Sequence, residues 1–210
     1  MDYYTLYFWI FIMGSFIGFL METVWCVIKY KKLESRKGLI YGYFIPIYGI
    51  ATMLLSFMVD YFNIKSVVVC YLLTFVICFI VEYLSSVFQE KCFGTKSWDY
   101  SDMKYNLNGR VNFIYLIIWS LFGILWFKFS PILINLIFDI FNKFNILDKV
   151  TNVFSIYMLY DILISIVASF RQKMRRLGVN PRNRVETLID KKYTDEYMKK
   201  VYANQSIIEI

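Results

Sequence analysis

The sequence predicts an all-α, polytopic membrane helix bundle of about five transmembrane helices, with one amphipathic interfacial helix and a cytoplasmic C-terminal helix. Three observations carry that prediction. The chain of 210 residues is 59% hydrophobic and 20% aromatic, and its mean hydropathy is +0.50, well above a soluble domain of this size. Its apolar residues fall in runs of about 20, the length that crosses a bilayer as a helix. Charged residues are scarce, 19% of the chain, yet sum to +7, and the basic ones gather between particular runs, as cytoplasmic flanks do.

The first run covers residues 5–28. Met1-Asp2-Tyr3-Tyr4 precedes it without Lys or Arg, which argues against a cleavable signal peptide. Gly14 and Gly18 form a G-x-x-x-G on which a second helix can approach closely. Glu22 sits ~9 Å inside the end of the run at 1.5 Å per residue; an ionisable group at that depth faces protein or water. Residues 29–38 are a basic loop with Lys29, Lys31, Lys32, Arg36 and Lys37. The second run, 39–59, carries Gly42, Pro46 and Gly49 early on, so a kink or a broken start is expected near Tyr41 to Pro46. Irregular backbone at membrane depth must be buried or face a cavity, where Tyr41, Tyr43 and Tyr48 could offer hydroxyls, the other reading being an aromatic belt at the interface.

After a polar turn at 60–65, the third run covers 66–88 and carries Glu82. Glu82, Ile77, Phe79 and Val87 follow Glu22, Ile17, Phe19 and Val27 at one constant offset, the pattern of a parallel two-helix repeat. The fourth run is 111–129, and Ser130-Pro131 is expected to end it. Residues 132–147 place Asn135, Asp139 and Asn142 on one stripe, which reads as an amphipathic helix lying on the membrane surface. The fifth run, 150–170, has Asp161 near its middle, either joining the interior polar set or bonding to a neighbouring helix. Residues 1–170 are therefore assigned as the transmembrane domain and 171–210 as a basic cytoplasmic tail. In that tail Val185, Leu188, Ile189, Tyr193, Tyr197 and Val201 keep helical spacing.

Of the 23 lysines and arginines, all but Lys65, Lys128, Lys143 and Lys149 fall in the first loop, the third loop or the tail. This places the N-terminus outside, the C-terminus in the cytoplasm and the protein in the cell membrane. Composition also narrows the chemistry. There is no His, the commonest acid-base group and metal ligand, and the four Cys form no C-x-x-C pair, so neither a metal site nor a cofactor is expected. No basic-aromatic nucleic-acid module is present. No phosphate loop of the form G-x-x-x-x-G-K-[ST] occurs, so ATP would have to be hydrolysed by another chain. With no nucleophile elbow either, an enzyme is not the preferred reading.

Between the third and fourth runs lies a polar loop unlike a simple connector: Trp98-Asp99-Tyr100-Ser101-Asp102, then Asn106-x-Asn108-Gly109-Arg110. Asn108-Gly109 suits a turn with positive φ. Arg110 is expected to turn inward and pair with Glu82, Glu22 or both, braced by Asp99, Asn106 and Asn108, because a guanidinium binds carboxylates through paired hydrogen bonds. This loop resembles the characteristic loop of the putative ABC-transporter type IV permeases, the CmpB-like family. Glu82-Tyr83-Leu84-Ser85-Ser86, Glu90-Lys91-Cys92-Phe93-Gly94, Gly38-Leu39-Ile40-Tyr41-Gly42, Pro46-Ile47-Tyr48-Gly49 and Glu22 resemble its other blocks. The resemblance runs from about Gly14 to Trp126 and implies a transport role.

The candidate polar cluster is therefore Glu22, Tyr48, Glu82, Trp98, Asp99, Tyr100, Asp102, Asn106, Asn108, Arg110 and Asp161. The reading is a permease-like subunit of an ABC-type transporter, its cytoplasm-facing cluster handling a polar or charged substrate. The expected partners are the bilayer, a separate ATPase and a second copy of the chain. The alternatives are a membrane scaffold or regulatory protein and, third, a membrane-embedded enzyme acting on a lipid-linked substrate.

Overall fold

A computed structural model describes residues 3–144 and 146–208, with Asn142 described in its backbone only. Met1, Asp2 and the Asn142 side chain of the expected polar stripe lie outside the described residues. Seven helices and four two-residue strands follow in the order α1 (Tyr3–Tyr30), α2 (Pro46–Tyr61), α3 (Val67–Phe93), β1 (Thr95–Lys96), β2 (Asn106–Leu107), β3 (Val111–Asn112), α4 (Phe113–Lys143), α5 (Leu147–Arg176), α6 (Arg184–Lys192), α7 (Asp195–Val201) and β4 (Ser206–Ile207).

Helices α1, α3, α4 and α5 are long and apolar enough to cross a membrane, and α2 is a shorter apolar helix of 16 residues. Their outward faces are apolar too. On α3, Val68, Leu72, Val76, Ile80, Leu84 and Phe88 are all exposed and recur every fourth residue, so one stripe of the helix offers only hydrocarbon to its surroundings. A soluble helix would show charge there; a helix apolar all round belongs in lipid or a large core.

The helix ends follow local chemistry. Ser66 caps α3, its hydroxyl accepting from Val69 N, and Gly94 closes it with φ +62°. Pro46 opens α2 at its first turn, where its missing N–H costs nothing and its fixed φ fits a helix. The expected broken start is thus present, with residues 38–45 unwound. Pro131 has the opposite outcome: α4 runs through it to Lys143. The predicted break, and with it the separate surface helix over 132–147, is therefore replaced by one continuous helix. Packing accounts for this. Ile134, Ile137, Phe138 and Phe141 pack into the clusters around Ile10 and Trp9, and the Trp9 and Phe141 rings lie 5.2 Å apart. Burial of those side chains outweighs one lost hydrogen bond, as it commonly does for proline within membrane bundles.

Two close-packed pairs, α1 with α2 and α3 with α4, make up most of the bundle. In the first pair Gly14 lies against Thr52; in the second Gly123 lies against Thr74. Thr74 is Gly14 moved by the offset that carries Glu22 to Glu82, and Gly123 is Thr52 moved by the offset that carries Tyr48 to Trp119. The repeat seen in sequence therefore extends to contacts: a small residue meets a threonine at the same level of each pair, with the roles exchanged. The Tyr48 and Trp119 rings touch edge to face at 5.5 Å, so equivalent positions of the two pairs face one another. Helix α5 closes the remaining side through Trp9, which stacks on Phe154 and donates to Thr151 Oγ1 at 2.9 Å.

The basic segments gather at one end. Ser35 donates to Val201 O, Lys173 to Lys91 O, and Arg176 to Phe93 O and Gly94 O. Strand β4 pairs antiparallel with β1. The tail folds back as two helices, not one, because Thr194 caps α7 by accepting from Tyr197 N. Ile189, Tyr193, Met198 and Tyr202 bury against Ile40 and Ala168, while Val185 and Leu188 remain exposed. Arg171 is buried and holds Glu186 and Asp190; Arg175 holds Asp190 and Asp195.

Candidate functional site

Two carboxylates anchor the interior polar groups. Glu22 projects from α1 and accepts the Tyr48 hydroxyl at 2.6 Å. Tyr48 sits in the first turn of α2, directly after the unwound segment, and packs against Gly18, where a side chain would collide with it. The G-x-x-x-G thus has a specific use: it lets the phenol of Tyr48 reach past the α1 backbone to Glu22. Glu82 on α3 is 8% exposed and accepts the Tyr100 hydroxyl at 3.0 Å. Its second oxygen, Oε2, is buried without a hydrogen-bond partner. Glu22 and Glu82 lie close enough for their charges to interact, and Tyr48 and Tyr100 belong to the same electrostatic neighbourhood.

The loop that supplies Tyr100 is a folded hairpin. Strands β2 and β3 pair antiparallel, with Asn108 at φ +53° and Gly109 at φ +67° turning between them. The Gly109 N–H donates to Asn106 Oδ1, and Asn106 Nδ2 donates to Met103 O. Trp98 Nε1 donates to Arg110 O at 2.8 Å. Asp99 accepts from the Ser101 N–H and hydroxyl and pairs with Lys96; these hydrogen bonds, Ser101 foremost, pull its carboxyl down to about 2. Tyr100 stacks on Tyr115 at 5.1 Å. Burial first, then the neighbouring Glu82 charge, raise the Tyr100 phenol above its ordinary range, so it remains a donor at any physiological pH.

Arg110 departs from the expected pairing. Its guanidinium joins Glu90 at 2.6 Å and Ser86 Oγ at 3.1 Å, not Glu82 or Glu22. Glu90 lies two turns nearer the end of α3, partly exposed, where an ion pair keeps some hydration and avoids the desolvation that a deeper site would exact. The inner carboxylates are left with phenols, and no ion pair reaches either of them among the described residues. Asp161 also stands apart. Fully buried on α5, it accepts the Tyr41 N–H at 3.0 Å and the Gly42 N–H at 2.6 Å. Its role is to hold the unwound segment before Pro46. Asn108 reaches the Tyr83 hydroxyl at 3.4 Å, and Asp102 is exposed on the loop.

Of the predicted cluster, the structure joins Glu22 to Tyr48 and Glu82 to Tyr100 as two separate hydrogen-bonded pairs. Trp98, Asp99, Asn106 and Asn108 shape the hairpin, and Arg110 and Asp161 serve neighbouring positions. Tyr115, Trp119, Ser86 and Glu90 were not selected from sequence. For Ser86 and Glu90 a signal existed, since they follow Glu82 at four and eight residues on one helix face; Tyr115 and Trp119 carried none within an aromatic-rich run. Among the described residues no three His, Cys, Asp or Glu side chains converge to hold a metal.

No curated protein and no solved structure matches the chain. The model of one family, described as "Putative ABC-transporter type IV", matches residues 9–166, which span α1 through most of α5 and both carboxylates. On that match, the chain is a multi-pass membrane protein belonging to the putative ABC-transporter type IV family.

Proposed function

We propose that the chain is a permease-like subunit of an ABC-type transporter whose interior carboxylate-phenol cluster handles a polar or charged substrate. The observation that carries this reading is the pair of acidic side chains on the helices of an apolar bundle, each met by a tyrosine hydroxyl and, among the described residues, neither by a cation. Carboxylates are costly at such depth and mark a pathway or a binding position in membrane proteins. Family membership supports the transport class. The basic end is assigned to the cytoplasm by the excess of Lys and Arg there, with the N-terminus outside. Lacking a phosphate loop, the chain takes its energy from a separate ATPase that docks on this basic end, and four long helices with one short one favour a homodimer.

The test is affinity purification from native membranes in mild detergent, followed by mass spectrometry and an ATPase assay. Recovery of a nucleotide-hydrolysing subunit in stoichiometric amount is expected, and its loss on removing residues 177–208 would assign the docking face. A chain that elutes alone, with no ATPase in any membrane preparation, overturns the reading. One observation favours a scaffold instead: the first loop, the end of α3 and the tail are stitched together through main-chain carbonyls, a static arrangement. A scaffold retains its partners when Glu22 and Glu82 are both changed to Gln, and no solute flux changes.

A further inference from the structure

Each half of the repeat carries the same four-part arrangement. On α1, Glu22 is followed one turn later by Cys26 and two turns later by Tyr30; Arg36 from the next loop donates to Cys26 Sγ at 3.3 Å and lies over the Tyr30 ring at 5.5 Å. On α3, Glu82 is followed by Ser86 and Glu90, and Arg110 from the next loop bonds both. In both halves an arginine is available, and in both it is retained two turns nearer the helix end by the residues at the fourth and eighth positions. The two acidic groups at the seam of the repeat are thereby kept from the nearest guanidinia by an arrangement that occurs twice. Such recurrence is not what a simple internal ion pair needs.

Among the described residues the titratable groups facing the pair are Cys78 on α3, Tyr48 on α2 and Tyr100 on the hairpin, with Tyr115 on α4 stacked behind Tyr100. None is a base, and none bears positive charge. Glu82, buried where Glu22 is half-buried, thus has one hydroxyl donor on Oε1 and none on Oε2, with the Glu22 charge near enough to act on it. An isolated ionised carboxylate in such surroundings takes up a counter-charge or becomes neutral. The donors are oxygen only, which disfavours transition metals, and two carboxylates with two phenols fall short of the six to eight oxygens that calcium takes.

We propose that Glu22 and Glu82 together form a proton-binding site, holding one exchangeable proton on the seam between the two helix pairs, with Glu82 Oε2 as its acceptor. The step is an uptake alone: the carboxylate lone pair on Oε2 forms an O–H bond with a proton delivered by water at the basic end, and Oε1 keeps the Tyr100 hydrogen bond. The site does not depend on the permease reading, since a scaffold with this seam would bind the proton equally.

Infrared difference spectroscopy of the purified full-length protein in lipid nanodiscs, stepped from alkaline pH down to about 6, above the range in which ordinary carboxyls protonate, reads the site directly. Wild type is expected to show a protonated-carboxyl C=O band, shifted in heavy water, amounting to one group per chain. Glu82→Gln should abolish that band, and Glu22→Gln should move its frequency while keeping its intensity. Because Gln is neutral and can still accept from Tyr100, Glu82→Gln is expected to fold; misfolding of this isostere at alkaline pH would count against a neutral Glu82. An unchanged spectrum in Glu82→Gln overturns the proposal, as does radioactive sodium binding that disappears in the same variant while the carboxyl band persists. Substrate flux in these variants is a separate measurement, so loss of the band and loss of transport are told apart.

Discussion

Asp161→Ala tests the role assigned to the most buried acid in the bundle. The substitution removes the acceptor for two backbone N–H groups, those of Tyr41 at 3.0 Å and Gly42 at 2.6 Å, in a segment with no helical ladder to replace it. Hydrogen bonds to a charged acceptor contribute about 1.5–3 kcal/mol each, so the two together are worth roughly 3–5 kcal/mol once the relief of Asp161's own burial is deducted. For a chain of this size that corresponds to a fall in melting temperature on the order of 6–20 °C. Asp161→Asn offers one carbonyl oxygen but turns an NH2 towards the other amide, and should lose about half as much. Ser165→Ala removes the acceptor of the Ile40 N–H at 2.9 Å and a long donor to Asp161 Oδ1 at 3.4 Å, and should lose less than Asp161→Asn. Thermal unfolding in detergent, followed by size-exclusion fluorescence, gives the ranking. An Asp161→Ala protein melting within about 2 °C of wild type would refute the reasoning, because two buried amides would then have found other partners.

The Arg171–Asp190 clamp should behave as a buried pair: either single alanine variant is expected to cost about 3–5 kcal/mol and to free residues 184–208 for proteolysis, whereas Arg175–Asp195, exposed at the aspartate, should give no more than about 1 kcal/mol in a double-mutant cycle. The hydrogen bond from Arg171, ahead of that from Arg175, holds Asp190 below its ordinary range. Its contribution is therefore complete above the unfolded carboxyl pKa of about 4 and is lost as pH falls through the lower, folded value; limited proteolysis across that interval should show the tail releasing on acidification. Gly18→Leu places a side chain inside the Tyr48 ring, and should push α1 from α2 and break the Glu22 bond, seen as loss of monodispersity, while Gly178→Ala, with nothing near it, should cost only about 1 kcal/mol from its positive φ. Pro131→Ala should leave the fold intact and raise the melting temperature, since α4 is already continuous; a collapse of the bundle would mean the proline sets a bend the packing requires.

Much of this architecture could be read from residue order alone. Apolar runs announce their helices, and Pro46 announces the unwound start of α2, because a residue without an N–H suits the first turn of a helix. Pro131 misled for the same local reason: nothing in its neighbours tells that Phe138 and Phe141 will be buried beside Trp9, and only that burial keeps α4 whole. Glu22 and Glu82 were legible from depth, since a carboxylate so far inside a run must face protein. The partner of Arg110 was not, because Glu82, Ser86 and Glu90 share one helix face and a long guanidinium reaches any of them; hydration at the rim decides for Glu90. Tyr193 and Ile189 betrayed a buried tail face by spacing, but the break at Thr194 lies in one hydroxyl cap that periodicity does not register.

Strand β4 has a consequence for biosynthesis. Ser206 meets Lys96, a partner 110 residues earlier, so Thr95 and Lys96 leave the ribosome well before the strand that completes their ribbon. Every long helix has entered the bilayer by the time that ribbon can zip. Its closure is therefore a late event that occurs only on a correctly threaded chain, and a protease able to sense the unzipped ribbon would discard chains in which α4 or α5 had gone in the wrong way round.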